Sequence, residues 1–289
     1  MINKLISMNK KFILIIISAV VLLAGCKREE ENDLSHSNLK GNVKSIREIS
    51  YQASGNQDTI IKGDIVMGSD VSNLYAEYNE QGNQKFVINY DNNGNQLDKW
   101  VFKYSAKGEQ LGGNYYHADN TLLDSTYYIK DVKGRIIEYY HLFADGNLRY
   151  KTFYTYDNNG NISEEKIFDQ TNTLYSTTKY IYKKNKVIKD ENFDGSNQLK
   201  YFSTYAYDKN SNLIQQIIYN ADKSINTSGN YSYNEHNDII RQVTKLSNEE
   251  DMTYTYTYKY DNHNNWTEKI TFINNVPAFI TTRQIEYYK

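Results

Sequence analysis

The sequence predicts an all-β chain: one long antiparallel β-meander of repeated hairpins, in a 26-residue double-hairpin unit, forming a single twisted and curled sheet. Three observations predict this. A turn signal, clearest in Tyr156-Asp157-Asn158-Asn159-Gly160-Asn161-Ile162, recurs on both sides of that stretch. Its copies are evenly spaced. No stretch beyond the N-terminal leader keeps a helical period, while tyrosine (29 residues) and threonine suit pleated, half-buried strands.

The turn has a local cause. Asp and Asn hydrogen-bond their own backbone two residues on, and Gly enters the left-handed region without steric cost. Close copies begin at Tyr78, Tyr90 and Tyr260, and weaker ones at Tyr104, Tyr116, Lys130, Leu142, Phe168, Tyr182, Phe193, Tyr207, Tyr219 and Tyr233. From 78 to 182 the starts alternate steps of 12 and 14, so every second start lies 26 residues from its partner. One residue is lost before 193, and the start at 260 follows a poorly matched turn near Leu246 to Asp251. A fixed period of this size marks a repeat architecture. The fifth slot is Gly at 82, 94, 108, 134, 146 and 160, and Asn at 120, 172, 197, 237 and 264. Both types suit φ > 0. Lys186, Ser211 and Lys223 break the rule, which predicts looser or differently built turns there.

In chain order, residues 1–25 read as a lipoprotein signal peptide: a basic start, an apolar run from Phe12 to Ala24, then Leu23-Ala24-Gly25-Cys26. The tetrapeptide resembles the bacterial lipobox, which implies lipidation of Cys26 and a membrane partner through that lipid. Cys26 is the only cysteine, so neither a disulfide framework nor a thiol catalyst is expected. Residues 26–40 form the charged tether, which opens Lys27-Arg28-Glu29-Glu30-Glu31 and resembles the surface-export signal of Bacteroidota lipoproteins. Loss of the leader leaves 30 basic against 35 acidic side chains, a net charge of −5, which argues against a nucleic-acid surface. Residues 41–74 lack the repeat and read as an N-terminal β cap, with strands over Val43 to Gln52 and Thr59 to Met67. The repeat domain follows from 75 to 289, and Pro277 falls near the last strands, where a missing donor matters least.

Alternation along strands predicts which face is buried. Start residues and the aliphatics six places on (Leu122, Ile136, Leu148, Ile162, Leu174, Ile188, Leu199, Leu213, Ile225 and Ile239) share a face if the turns add no bulge. Phe102, Tyr154, Tyr180, Tyr205, Tyr231 and Tyr258 extend that face, and Tyr175, Ile167 and Ile181 fall on the other. About sixteen strands at roughly 4.8 Å would give a sheet on the order of 75 Å wide, and open sheets that large curl, split or close. A transmembrane barrel needs an apolar band along every strand, and Leu97 to Tyr104 and Ile162 to Phe168 carry too many charges for it.

At these residues the chain resembles the YD-repeat (Rhs-related) family, named for Tyr-Asp-x-x-Gly-Asn units, over about residues 75–272. The match is strongest at Tyr90, Tyr156 and Tyr260, and the small YD-repeat lipoproteins of Bacteroidota are the closer likeness. The resemblance implies a β-shell and, in Rhs proteins, encapsulation of a C-terminal toxin; no toxin-like domain follows here.

Catalytic patterns are not found in the sequence. No His-Glu-x-x-His, Cys/His cluster, nucleophile elbow or phosphate-cradling loop occurs, so no cofactor, metal or catalytic residue is expected. Asp91-Asn92-Asn93-Gly94-Asn95 lacks the late Gly and closing Glu of a calcium loop and reads as a turn. Glu164-Glu165 and Glu249-Glu250 are neighbours on strands and point to opposite faces, which does not suit a glycosidase pair. The functional expectation is an outer-membrane-anchored, non-catalytic binding or interaction scaffold, at the cell surface or the periplasmic face. Two alternatives remain: a glycan-binding lipoprotein using Tyr254, Tyr256, Trp100 or Trp266 on one sheet face, or an Rhs-like shell fragment or immunity-type partner. The face assignment buries all four aromatics, so their exposure would count against it.

Overall fold

The computed structural model describes residues 32–68, 70–247 and 249–289. Cys26, the leader and the start of the tether lie outside the described residues. Among the described residues one short helix, α1 (Asp33–His36), precedes nineteen strands hydrogen bonded into one antiparallel sheet. They are β1 (Val43–Gly55), β2 (Ile60–Ile65), β3 (Leu74–Tyr78), β4 (Gln84–Tyr90), β5 (Gln96–Tyr104), β6 (Gln110–His117) and β7 (Leu122–Lys130). Next come β8 (Ile136–Phe143), β9 (Leu148–Tyr156), β10 (Ile162–Asp169), β11 (Leu174–Lys183), β12 (Lys186–Asp194) and β13 (Leu199–Tyr207). The last six are β14 (Leu213–Asn220), β15 (Ile225–Tyr233), β16 (Ile239–Leu246), β17 (Met252–Tyr260), β18 (Trp266–Ile273) and β19 (Val276–Tyr287).

The described residues divide into two compact units: one combines residues 32–99 with Thr255–Lys289, and the other is Trp100–Tyr254. In the first unit β1 is the closing strand. It pairs with β19 along Ser45 to Gln52, and on its other side with β3 and then β2. The last strand is thus hydrogen bonded to the first, and the ladder has no open flank there. A sheet with two free edges would leave unpaired N–H and C=O groups on both, a template for unwanted pairing. The hydrogen bonds of β1 put it between β19 on one side and β3 and β2 on the other.

The first unit also holds the apolar core. Asn32 caps α1 by accepting the Ser35 N–H, and Asp33 accepts the Gln84 N–H at 2.7 Å. These bonds lay Leu34 and Leu39 on Val43, Ile46, Ala76 and Tyr78, all buried. Arg283 donates twice to Glu48, directly opposite it in register, and its guanidinium lies 3.4 Å from the Trp266 ring centroid. Such a buried pair is costly to break because the survivor keeps an uncompensated charge.

Turn chemistry follows the sequence closely. In the Tyr156 hairpin, Asp157 Oδ1 accepts the N–H groups of Asn159 (2.8 Å) and Asn161 (2.9 Å), and Oδ2 accepts Asn161 Nδ2 (3.0 Å). The Asp157 N–H donates to the Asn161 carbonyl, and the Gly160 N–H to the Asp157 carbonyl. The same bonds recur at Asp91, so its carboxylate is already engaged as a turn cap. Every predicted fifth-slot Gly and Asn has positive φ. Ser211 (φ 81°) and Lys223 (φ 69°) share that geometry, so these turns differ in residue type and not in build. The Lys186 turn is built differently. Lys184 and Asn185 (φ 52° and 58°) form a two-residue turn that pairs Lys183 with Lys186, which accounts for the lost residue. Val187, not Ile188, is therefore the aliphatic opposite Tyr182.

The buried-face expectation needs correction. A register shift accompanies the hairpins at Tyr116, Lys130, Leu142, Tyr156, Phe168 and Tyr207, among others. Tyr156 does lie opposite Ile162, but the bulge then brings Glu165, not Glu164, opposite Tyr154. An extra residue exchanges the faces of everything that follows it. Alternate starts consequently lie on opposite faces: Lys130, Tyr156, Tyr182, Tyr207 and Tyr233 on one, Tyr116, Leu142, Phe168, Phe193 and Tyr219 on the other. The same shift carries Ile167 onto the tyrosine-bearing face, opposite Thr152, whereas Tyr175 and Ile181 stay on the outer face, 70% and 45% exposed.

Candidate functional site

The second unit presents two chemically distinct sheet faces, each organised in rows by the 26-residue period. On the inner, more buried face, Tyr128, Tyr154, Tyr180, Tyr205 and Tyr231 make one row. Opposite them in register stand Tyr139, Glu165, Asp190, Gln216 and Gln242. A hydroxyl row, Thr126, Thr152, Thr178 and Ser203, runs beside them, and Thr126, Thr152 and Ser203 are buried. Burial of so much polar chemistry is more informative than burial of aliphatics, because each group must find a partner.

The acids find tyrosines. The Tyr180 hydroxyl donates to Glu165 Oε2 at 2.9 Å. Tyr205 donates to Asp190 Oδ2, while Asn192 Nδ2 reaches Asp190 Oδ1 at 2.6 Å and Thr178 donates to Asn192 Oδ1 at 2.8 Å. Burial pushes the Glu165 carboxyl above its ordinary range, partly offset by the Tyr180 donor. Asp190 is raised for the same first reason, against the donors Tyr205, Ser203 and Asn192. The phenols respond in kind: burial, then Glu165, raises Tyr180, and burial, then Asp190, raises Tyr205. These hydroxyls therefore stay protonated and act as donors.

Toward one margin of this face the pattern changes. Asp124 (4% exposed) accepts Arg149 Nη1 at 2.8 Å through Oδ2. His141 Nε2 lies 3.2 Å from the same oxygen without the alignment of a hydrogen bond. Tyr150 and Tyr139 flank the imidazole with ring centroids 4.9 and 6.3 Å away. Tyr115 stands opposite Asp124 in register and stacks on Trp100 at 4.7 Å.

The outer face is different. Lys151, Lys166, Lys179 and Lys189 occupy the middle of four successive strands, β9 to β12. Lys179 lies between Glu164 and Glu191 in register, while Lys166 pairs with Glu164 at 2.6 Å and Lys189 with Glu191 at 2.7 Å. The same lysines cover aromatic rings: Lys151 lies 5.3 Å from Phe153, Lys179 5.0 Å from Phe193 and Lys189 4.9 Å from Phe202. Such contacts shield rings while the ammonium stays in water.

Of the four aromatics proposed from sequence, Tyr254 is buried (8% exposed) and Trp100, Tyr256 and Trp266 are half-buried. Trp100 and Tyr254 belong to the second unit, Tyr256 and Trp266 to the first. Trp266 is covered by Arg283, and Lys269 lies 6.0 Å from the Tyr256 ring. Asp124, His141 and Arg149 did not emerge from sequence reasoning. The signal that could have found them is the break in the rows: Asp124 stands where later repeats carry Tyr150, Ser176 and Tyr201.

No family model matches the chain, and no curated protein matches it. Among solved structures it is similar to a porin-like protein from Bacteroides uniformis, at 11% identity and a TM-score of 0.42, over 86% of this chain and 98% of that one. A porin-like protein from Bacteroides vulgatus is similar at 10% identity and a TM-score of 0.31, over 86% and 99% of the two chains. The TcdB2-TccC3-Cdc42 structure is similar at 11% identity and a TM-score of 0.23, over 75% of this chain and 16% of that chain.

Proposed function

We propose that this protein is a cell-envelope scaffold, tethered to the outer membrane by lipid on Cys26, that binds a partner without catalysing a reaction. The outer face of β9 to β12 carries the proposal. Four mid-strand lysines and their glutamates would all face hydrocarbon if these strands crossed a bilayer, at about 2–4 kcal/mol for each lysine near the midplane. In water the same row costs little, since exposed pairs contribute about 0–1 kcal/mol. The inner-face acids support a non-catalytic role, because Glu165 and Asp190 are each held by a tyrosine donor within the sheet. Closure of the ladder through β1 turns interaction toward side-chain faces and away from strand addition.

Acyl labelling and fractionation of cells carrying wild-type protein and Cys26→Ser test the proposal. Wild type should take up labelled fatty acid and sediment with the outer membrane, and Cys26→Ser should do neither. A Cys26→Ser protein that stays membrane-integrated and conducts ions in planar bilayers would overturn it. Proteolysis of intact cells then separates display at the surface from the periplasmic side.

A further inference from the structure

We propose that the margin of the inner face around Asp124, His141 and Arg149 is a binding site for a neutral polyhydroxylated ligand, a sugar ring or polyol. The inference deepens the binding-scaffold reading and rests on it, but not on the lipid anchor.

The site stands out because its polar groups are buried and unspent. Asp124 Oδ1 has no hydrogen-bond partner although the residue is 4% exposed, and both His141 ring nitrogens are buried and equally without one. A buried polar atom left unpaired costs about 1–3 kcal/mol, so such groups collect where a ligand or water supplies the missing bonds. Elsewhere on the same face the buried acids Glu165 and Asp190 already have tyrosine partners. The Tyr182 hydroxyl on this face is also buried without a partner, but Asp124 and His141 bring three such atoms together.

The chemistry of the unspent atoms selects the ligand. Asp124 Oδ1 can only accept when ionised, neutral His141 offers one donor and one acceptor, and Arg149 retains N–H groups beyond the one given to Asp124. A cation would meet the Arg149 guanidinium, and an anion would meet the Asp124 carboxylate. A vicinal diol both donates and accepts through each oxygen, so it matches this mixed set. Aromatic rings complete the surroundings, with Tyr150 and Tyr139 beside His141 and the stacked Tyr115–Trp100 pair beginning opposite Asp124. The C–H faces of a sugar ring pack on such rings while its hydroxyls reach the polar groups. Access comes from Arg149 (side chain 47% exposed) and Phe143 (37% exposed), whose ring the guanidinium covers at 5.3 Å.

The purified full-length protein is titrated calorimetrically with glucose, galactose, mannose, N-acetylglucosamine and glycerol, and in parallel with inorganic phosphate and calcium ion. At least one of the hydroxylated compounds should bind in the millimolar range or tighter. Asp124→Asn, which keeps shape but exchanges an acceptor oxygen for a donor, should weaken that binding about tenfold or more. If Asp124→Asn does not fold, Arg149→Gln at the half-exposed margin should weaken binding in the same direction. No binding of any hydroxylated probe by the folded protein, binding of phosphate or calcium alone, or sugar binding indifferent to the folded variants would each overturn the proposal. None of those results bears on lipidation at Cys26, which the fractionation reads separately.

Discussion

The hairpin turns and the inner sheet face of the second unit use the same acidic side chains in opposite ways. In the turns, Asp157 and its counterparts Asp91 and Asp169 lie near water, with backbone and side-chain donors pointed at them. Those donors hold the carboxyls below their ordinary range, with the Asn161 side chain the largest cause at Asp157. On the inner face, burial dominates and pushes Glu165 and Asp190 the other way. Turn acids therefore fix the fold and are satisfied within five residues of sequence, whereas face acids depend on strands brought together by register.

The largest effect that separates turn from face comes from glycine. Gly160 in a turn has open space where a Cβ would go, but a Cβ on Gly112 in β6 would come within 2.0 Å of the Thr126 carbonyl oxygen, at φ +141°. Gly112→Ala should cost about 3 kcal/mol or more, and Gly160→Ala only about 1–2 kcal/mol from its left-handed backbone. Thermal unfolding of both variants checks the order, and equal losses would erase the distinction.

Next comes the turn acid itself. Asp157→Ala removes three accepted hydrogen bonds and should cost about 1 kcal/mol, modest because the group is solvent-screened. Its folded-state pKa is depressed, so the stabilisation is present above the ordinary carboxylate value of 3.8 and lost as pH falls through the lower folded value. Denaturant melts should show the gap between wild type and Asp157→Ala at pH 7 and see it close in acid. A gap independent of pH would mean the loss is not electrostatic.

Ser211→Gly asks whether the turn geometry or the residue is optimal. With φ at 81°, Ser211 carries a backbone that glycine adopts freely, so the substitution should stabilise by about 0.5–1 kcal/mol. A loss of stability in urea would show that the serine hydroxyl does more than fill the slot. The smallest effect belongs to Glu165→Gln. The raised folded pKa of Glu165 means its favourable contribution is present below the unfolded value and lost as pH rises through the folded one. The Gln variant should match wild type in acid and exceed it slightly at neutral pH, with Tyr180 still able to donate to the amide oxygen. A variant weaker at both pH values would show that the charge itself is needed.

How much was legible in sequence follows the same division. Asp157, Gly160 and Asn161 act on one another across five residues, so turn positions, the left-handed slot and the 26-residue period could be read directly. The faces were misassigned because the fifth-slot Gly or Asn at φ > 0 marks a bulge as well as a turn. Plain alternation left out that extra residue, which moved Glu165 and Ile167 to the opposite side. Closure through β1 was hidden because its partners on β19 lie more than 200 residues away. The Asp124–His141 pair escaped for a related reason: the two sit 17 residues apart on adjacent strands and meet only once the bulges set the register. The two-residue turns at Lys184-Asn185 and Asn274-Asn275 lack the Asp-x-x-Gly spacing that announced the others.

The most direct test of the scaffold account asks what the outer face touches. Cys26 is the only cysteine, and an attached lipid would consume its thiol, so Lys179→Cys gives a single reactive reporter in the middle of β11. Washed, broken outer membranes carrying this variant are treated with a charged, water-soluble maleimide. Rapid labelling without detergent is the predicted result, because the Lys179 position lies in water. Labelling only after detergent, with quenching of a fluorophore at that site by brominated lipid, would place the strand in hydrocarbon and contradict the account.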